Sequence, residues 1–273
     1  MLKTLTVSDV PPPRCTPLER QGSVWLKPEG CQITGSVKYR MVYAKVTAAL
    51  AAGLIHAHSV LTEVTSGSTG VALAYVGARL GLRVELHAYQ NACPRKCALI
   101  KEYGAHLTLH TVDTPLPHLL AHVSSQVTDY GYWHLNQYSR QAHLEAYMAL
   151  GQEIVQQLEI RTRVPPKMFA CPVGTGGLIQ GVGTYLRQAW PSLTIIAVEP
   201  APHVTIPGMR NTQVLHMRQE DPYDTGFPDV RMTVLPPKHL AHMAGFALGE
   251  SATAVYEMIR QEAWQDVLLI APD

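Results

Sequence analysis

The stretch VLTEVTSGSTGVALAYVGARL, Val60 to Leu80, decides the fold. Val60–Val64 is a short apolar run of strand length. It breaks into Thr65-Ser66-Gly67-Ser68-Thr69-Gly70, and Val71–Leu80 follows with strong helix formers before Gly81 stops them. The same order recurs downstream. Val84–Ala88 alternates as a strand, Ala98–Tyr103 reads as a helix ended by Gly104, and His106–His110 returns as a strand. Strand, turn and helix repeated at short spacing predict a parallel sheet with helices on its faces. Upstream, Met41–Ala52 reads as a helix ended by Gly53.

A second series begins after Thr111–His118. Leu116–Thr128 and Ala142–Leu158 are amphipathic; the latter gathers Leu144, Tyr147, Met148, Ile154, Val155 and Leu158 on one side. Pro165-Pro166 interrupts the chain. Met168–Cys171 is then a buried strand running into Gly174-Thr175-Gly176-Gly177, Leu178–Trp190 is a helix stopped by Pro191, and Leu193–Val198 is a strand. Residues 203–238 are Pro-rich and read as a loop over the site. Gly245–Gln261 reads as a helix and Val267–Ile270 as the last strand. The expected architecture is α/β: two three-layer α/β/α domains with twisted, mostly parallel sheets and a cleft between them. One domain is expected over residues 41–138, the other over 11–40 and 139–273. Ligands in such folds bind at the carboxyl ends of strands, where the glycine turns lie.

Composition narrows the function classes. A chain of 273 residues with 47% hydrophobic content has an ordinary globular core, and a net charge of +1 gives no footprint for nucleic acid or anionic membrane. No apolar run approaches the ~20 residues of a membrane span. Lys3, Ser8 and Asp9 interrupt any apolar leader, so a cytoplasmic location is expected. The five cysteines are odd in number and do not space as a disulfide framework, so reduced thiols are expected. The histidines include no pairing of metal-ligand spacing, and no metal is expected.

Lys38, in Gly35-Ser36-Val37-Lys38, precedes the glycine runs at Thr65–Gly70, at Gly174–Gly177 and, in degenerate form, around Gly249. Glycines let backbone N–H groups approach an anion closely, and a helix N-terminus adds favourable charge. A lysine amine condenses with an aldehyde. One lysine with separate anion cradles is what an aldehyde cofactor bearing a phosphate requires. Each run alone is a common turn or surface feature; the ordered set, every run at a strand end or helix start, carries the reading.

The chain resembles pyridoxal-phosphate enzymes of fold type II, the tryptophan-synthase-β class, and is most similar to cysteine synthases (O-acetylserine sulfhydrylases) and the catalytic domain of cystathionine β-synthase. The matching runs stand in family order. They are Thr16-Pro17-Leu18, Val24–Glu29 into Gly35–Lys38, Thr65–Gly70, Tyr103-Gly104-Ala105, Gly174–Gly177 with Gly181-Val182-Gly183, Val198-Glu199-Pro200, Ile206-Pro207-Gly208 and Ala271-Pro272-Asp273. The resemblance implies that Lys38 binds the cofactor covalently and moves the α-proton. It implies that Gly174, Thr175, Gly176 and Gly177 cradle the phosphate, that Ser68 touches the ring hydroxyl, and that Thr65, Ser66, Gly67 and Thr69, with His134, hold the substrate carboxylate. It further implies that residues 41–138 form a smaller, mobile substrate-binding domain and the remainder a larger cofactor-binding domain, and that the chain is a homodimer acting on a small-molecule amino acid.

Departures from the family pattern set this chain apart. Tyr39 replaces the Asp that follows the lysine, Ser68 replaces an Asn, and Leu178 replaces a Thr that closes the phosphate loop. The ring-nitrogen contact falls on Glu250 in an ungapped alignment and on Ser251 after a one-residue shift, the latter preferred. The implied reaction is β-replacement on O-acetyl- or O-phospho-L-serine through an aminoacrylate. Three alternatives stay open: a synthase of the 2,3-diaminopropionate type using an amine or other nucleophile, a β-eliminating serine/threonine dehydratase or cysteine desulfhydrase, and a non-catalytic paralogue.

Overall fold

The computed structural model describes residues 5–138, 141–162, 164–212, 224 and 226–273, with the side chains of 141–143 set aside. In chain order, β1 (Glu19–Gln21) and β2 (Val24–Pro28) precede α1 (Lys38–Ala51), β3 (Val60–Val64), α2 (Ser68–Leu80), β4 (Arg83–Tyr89) and α3 (Pro94–Glu102). Then come β5 (His106–His110), α4 (Leu116–Tyr130), β6 (Trp133–His134), α5 (Gln141–Arg161), β7 (Met168–Pro172) and α6 (Gly177–Ala189). The last elements are β8 (Thr194–Pro200), β9 (Val230–Val234), the pair β10 (His242–Met243) and β11 (Phe246–Ala247), α7 (Glu250–Gln261) and β12 (Val267–Ala271).

Two compact units form. One comprises Met1–Pro13 and Ile33–Gln137, the other Arg14–Gln32 and Tyr138–Asp273. The sequence reading put residues 11–40 with the larger domain. Ile33–Arg40 instead groups with β3, because Lys38 opens α1 and α1 packs along α2.

The first unit is built on a four-stranded sheet in the order β5-β4-β3-β6, parallel throughout. Every residue of β3 is buried, as expected for a strand covered on both faces. Leu119 and Val123 of α4 pack on Val64. The second unit is built on a six-stranded sheet in the order β1-β2-β12-β7-β8-β9, parallel except for the β1–β2 pair. Its inner strands β12 and β7 are apolar and almost wholly buried. Helix α7 contributes Ala252, Val255, Met258 and Ile259 to the same core as Leu269 and Ile196. Helices α5 and α6 approach closely at Gly181, where an added Cβ would lie 2.5 Å from Tyr147 Cβ.

Three parts of the sequence reading change. The region 203–238, read as one loop, contains β9; its residues 213–223 and 225 lie outside those described. The helix read from Gly245 starts at Glu250, after the β10–β11 hairpin. The helix read from Met41 starts at Lys38, so the lysine is a first-turn residue. All five cysteines are free thiols, and none of the described helices is long and apolar enough to cross a membrane.

Candidate active site

In the first unit the loop Thr65–Gly70 leaves the carboxyl end of β3 and turns directly into α2. Thr65 is buried, and its Oγ1 accepts the Gly67 and Gly70 N–H groups at 3.0 and 2.9 Å, so this hydroxyl shapes the turn from inside. Gly67 has φ +139, a conformation that L side chains rarely adopt, and the Lys96 stem lies 2.7 Å from where a Cβ would be. Ser66 is exposed. Ser68 opens α2, and its Oγ accepts a hydrogen bond from Lys96 Nζ at 2.7 Å. Gly67, the residue before the helix, offers no side-chain cap, and of the first-turn amides Gly70 is taken by Thr65, so the positive end of α2 is set by this turn. This terminus therefore has the chemistry to take an anionic group.

Thr69 donates its hydroxyl to Gln137 Oε1 at 2.8 Å, and Gln137 Nε2 donates to the Val64 carbonyl at 2.5 Å. The sequence reading assigned a carboxylate-holding role at this point to His134. The structure turns His134 toward Glu63, with Nε2 3.3 Å from Oε1, and brings Gln137 to the loop. Gln137 escaped the sequence reading because β6, two residues long, carries no periodic signal that fixes its register. Once β6 pairs with β3 through Leu61–Trp133 and Thr62–His134, the following residues leave the sheet at the edge that carries Thr65–Gly70.

Lys38 is half-buried in the first turn of α1. Lys45, two helical turns later and thus on the same face, donates Nζ to the Asn136 carbonyl at 2.9 Å. Burial lowers the Lys45 pKa to about 8, opposed by the negative charge of Glu63. That face of α1 is accordingly directed at the segment leaving β6. Tyr39 points elsewhere: fully buried, it donates its hydroxyl to the Pro11 carbonyl at 2.6 Å and meets Tyr75 edge-on. Burial is the main cause holding its phenol protonated far above the usual range. Tyr39 is a packing residue of this unit.

In the second unit Gly174–Gly177 links β7 to α6. A Cβ on Gly174 would lie 2.6 Å from the Gly208 carbonyl oxygen, so no larger residue fits. Gly176 precedes α6 with φ +83 and offers no side-chain cap, Gly177 and Leu178 form the first turn, and the Thr175 side chain is buried beside them. Leu178 is buried and brings no hydroxyl, but its backbone amide remains. At the start of α7, Ser251 is buried and Glu250 exposed. The Gly249 amide reaches the Asp273 carbonyl at 3.3 Å, beyond the end of β12. Because β12 and β7 are parallel neighbours, the α7 and α6 starts stand at the same carboxyl edge of this sheet.

These features fit a phosphate-bearing aldehyde. Gly174 admits no Cβ against the Gly208 backbone, Gly176 brings α6 in without a side-chain cap, Ser251 supplies a buried hydroxyl at the same edge of that sheet, and the first unit carries the Lys38 amine.

A family model described as pyridoxal-phosphate dependent enzyme matches residues 10–271. The chain is 34% identical over 206 residues to a cysteine synthase of Aquifex aeolicus (strain VF5), covering 73% of this chain and 62% of that protein. It is 33% identical over 200 residues to cysteine synthase B of Escherichia coli (strain K12), covering 71% and 64%. These alignments thus span less than two thirds of the relatives' lengths. Among solved structures, O-ureido-L-serine synthase superposes with a TM-score of 0.81 at 26% identity, covering 95% of this chain and 89% of that one.

Proposed function

We propose that this chain, which belongs to the pyridoxal-phosphate dependent enzyme family, performs β-replacement on an activated L-serine, O-acetyl- or O-phospho-L-serine, in the manner of a cysteine synthase. The observation that carries this reading is the Thr65–Gly70 turn. It is a helix start braced from inside by Thr65 and from beside by Gln137, whose positive end suits the carboxylate of a small amino acid. The cysteine synthase relatives supply the reaction class.

Pyridoxal phosphate is the cofactor, and when bound it draws electrons from the substrate's α-carbon. The protein's own groups do the rest. Amides of Gly174–Gly177 and the Thr175 hydroxyl would hold the cofactor's phosphate. Ser251, buried at the start of α7, would be the hydroxyl offered to the ring nitrogen, and Glu250 is exposed there. Lys38 would supply the amine that holds the cofactor and, once displaced, the base that moves the substrate's α-proton. Loss of the β-substituent and attack by a nucleophile at the β-carbon complete the replacement. Ser68 accepts a hydrogen bond from Lys96 and stands where the family pattern has an amide side chain.

Sulfide is the default acceptor for a cysteine synthase. A second reading, an acceptor other than sulfide, is favoured by the likeness to O-ureido-L-serine synthase and by the Ser68–Lys96 pair. The test is the absorption spectrum of the cofactor-loaded protein before and after O-acetyl-L-serine, followed by sulfide and a panel of amines and hydroxyl nucleophiles. The expected result is a band that shifts with the amino acid and returns when the right acceptor is added. No shift with any activated serine would overturn the proposal. Pyruvate and ammonia released without an acceptor would replace it with β-elimination.

A further inference from the structure

Glu63 lies within β3 with no exposed surface, a carboxylate inside a parallel sheet. Burying such a group is costly unless its lone pairs are met. Here one oxygen accepts the Val64 N–H at 2.7 Å and faces His134 Nε2 at 3.3 Å, and the other accepts the Gln137 N–H at 2.8 Å. Leu135 donates its N–H to the Thr62 carbonyl at 3.1 Å, and Lys45 holds the Asn136 carbonyl. Asn136 sits between these anchors at φ +51, in the left-handed region that Asn adopts more readily than other side-chain-bearing residues. Residues 135–137 are therefore fixed at three successive points, by the Thr62 carbonyl, the Lys45 amine and, at Gln137, the Glu63 carboxylate.

The Gln137 side chain then bridges strand and loop, with Nε2 on the Val64 carbonyl and Oε1 on the Thr69 hydroxyl. We propose that Glu63 is a positioning residue of the substrate loop: it sets the Gln137 backbone, Gln137 holds Thr69, and Thr69 keeps the first turn of α2 shaped for the substrate carboxylate. The proposal rests on Thr65–Gly70 being the carboxylate loop. Glu63→Gln keeps the volume of the side chain but turns one acceptor into a donor facing either the Val64 or the Gln137 N–H. The clamp loosens while the loop's own residues stay intact.

The experiment titrates the cofactor-loaded protein with O-acetyl-L-serine, reading the cofactor band for apparent affinity and for the rate at saturation. Wild type, Glu63→Gln, Gln137→Ala and the double variant are compared, each with its thermal midpoint and cofactor affinity. Glu63→Gln is expected to weaken amino-acid affinity roughly tenfold, the scale of one lost hydrogen bond to a charged group. The saturating rate and the cofactor affinity are expected to stay within about threefold. The double variant is expected to match Gln137→Ala, because Glu63 works through Gln137. If Glu63→Gln does not fold, Glu63→Asp carries the test, since the shortened carboxylate keeps its charge but cannot span both N–H groups. Unchanged amino-acid affinity in a folded Glu63 variant, or losses that multiply in the double variant, would overturn the proposal. A wild-type protein that ignores every activated serine would instead bring down the loop reading, and this proposal with it.

Discussion

A methyl group at Gly174 would lie 2.6 Å from the Gly208 carbonyl oxygen, closer than any van der Waals contact, and that oxygen is backbone. Gly174→Ala must displace either the phosphate turn or the 206–208 segment, at a cost of about 1–3 kcal/mol. If the turn serves the phosphate as proposed, its distortion falls on pyridoxal phosphate and spares pyridoxal, which lacks that group. Fluorescence titration of the variant is expected to show about a tenfold or larger loss of affinity for the first and little change for the second; equal losses for both would mean a general disturbance of the unit. What the sequence made legible at Gly174 was a turn between a buried strand and a helix, which the structure has; its role toward a phosphate is proposed. Lys38 stood out in the sequence only by its place in order before the glycine runs. Gln137 did not, since its role arises from the pairing of a two-residue strand. Nor did the role of Tyr39, whose position beside the lysine suggests the site while its hydroxyl is spent on Pro11.

At the scale of elements, the interior strands could be read from sequence and the marginal ones could not. β3, β7 and β12 are short apolar runs between turns, and burial on both faces makes them so. β9 is a half-exposed edge strand and β10–β11 a hairpin of two-residue strands, with no apolar run to betray them. The packing of α4 on the first sheet creates a condition that no single element's pattern reveals. His87 of β4 is buried against His122 and Gln126 of α4 and His110 of β5. Burial chiefly, then the neighbouring His122 and His110, push its pKa down to about 4, against the opposing Gln126 hydrogen bond and the charge of Glu85. In the unfolded chain the value is about 6.5. The folded state thus binds this proton less tightly, so stability is full above about pH 6.5 and falls as the pH drops toward 4. At pH 5 the loss from this group is about 2 kcal/mol. Urea unfolding at pH 7.5 and pH 5 should show it, and His87→Gln should flatten the slope between those values. An unchanged slope in the variant would assign the acid sensitivity elsewhere.

At the scale of the whole molecule, the candidate cofactor groups are spread over the chain from Lys38 to Ser251, and each unit holds some of them. A ligand that binds only the folded chain stabilises it by mass action, by about 2.7 kcal/mol at a hundred times its dissociation constant. For a chain of this size 1 kcal/mol moves the thermal midpoint by roughly 2–4 °C, so saturating pyridoxal phosphate should raise it by about 5–10 °C. Two units allow more than one transition, so calorimetry rather than a single optical probe should follow the melt. Lys38→Ala removes the amine but leaves the phosphate turn of the second unit whole. Its midpoint is expected to rise with the cofactor by a smaller amount that inorganic phosphate competes away. A Lys38→Ala protein that gains as much as wild type would show that the lysine contributes nothing to holding the cofactor. A wild-type protein that gains nothing would show that the glycine turn and the lysine, although both present, do not form a working site.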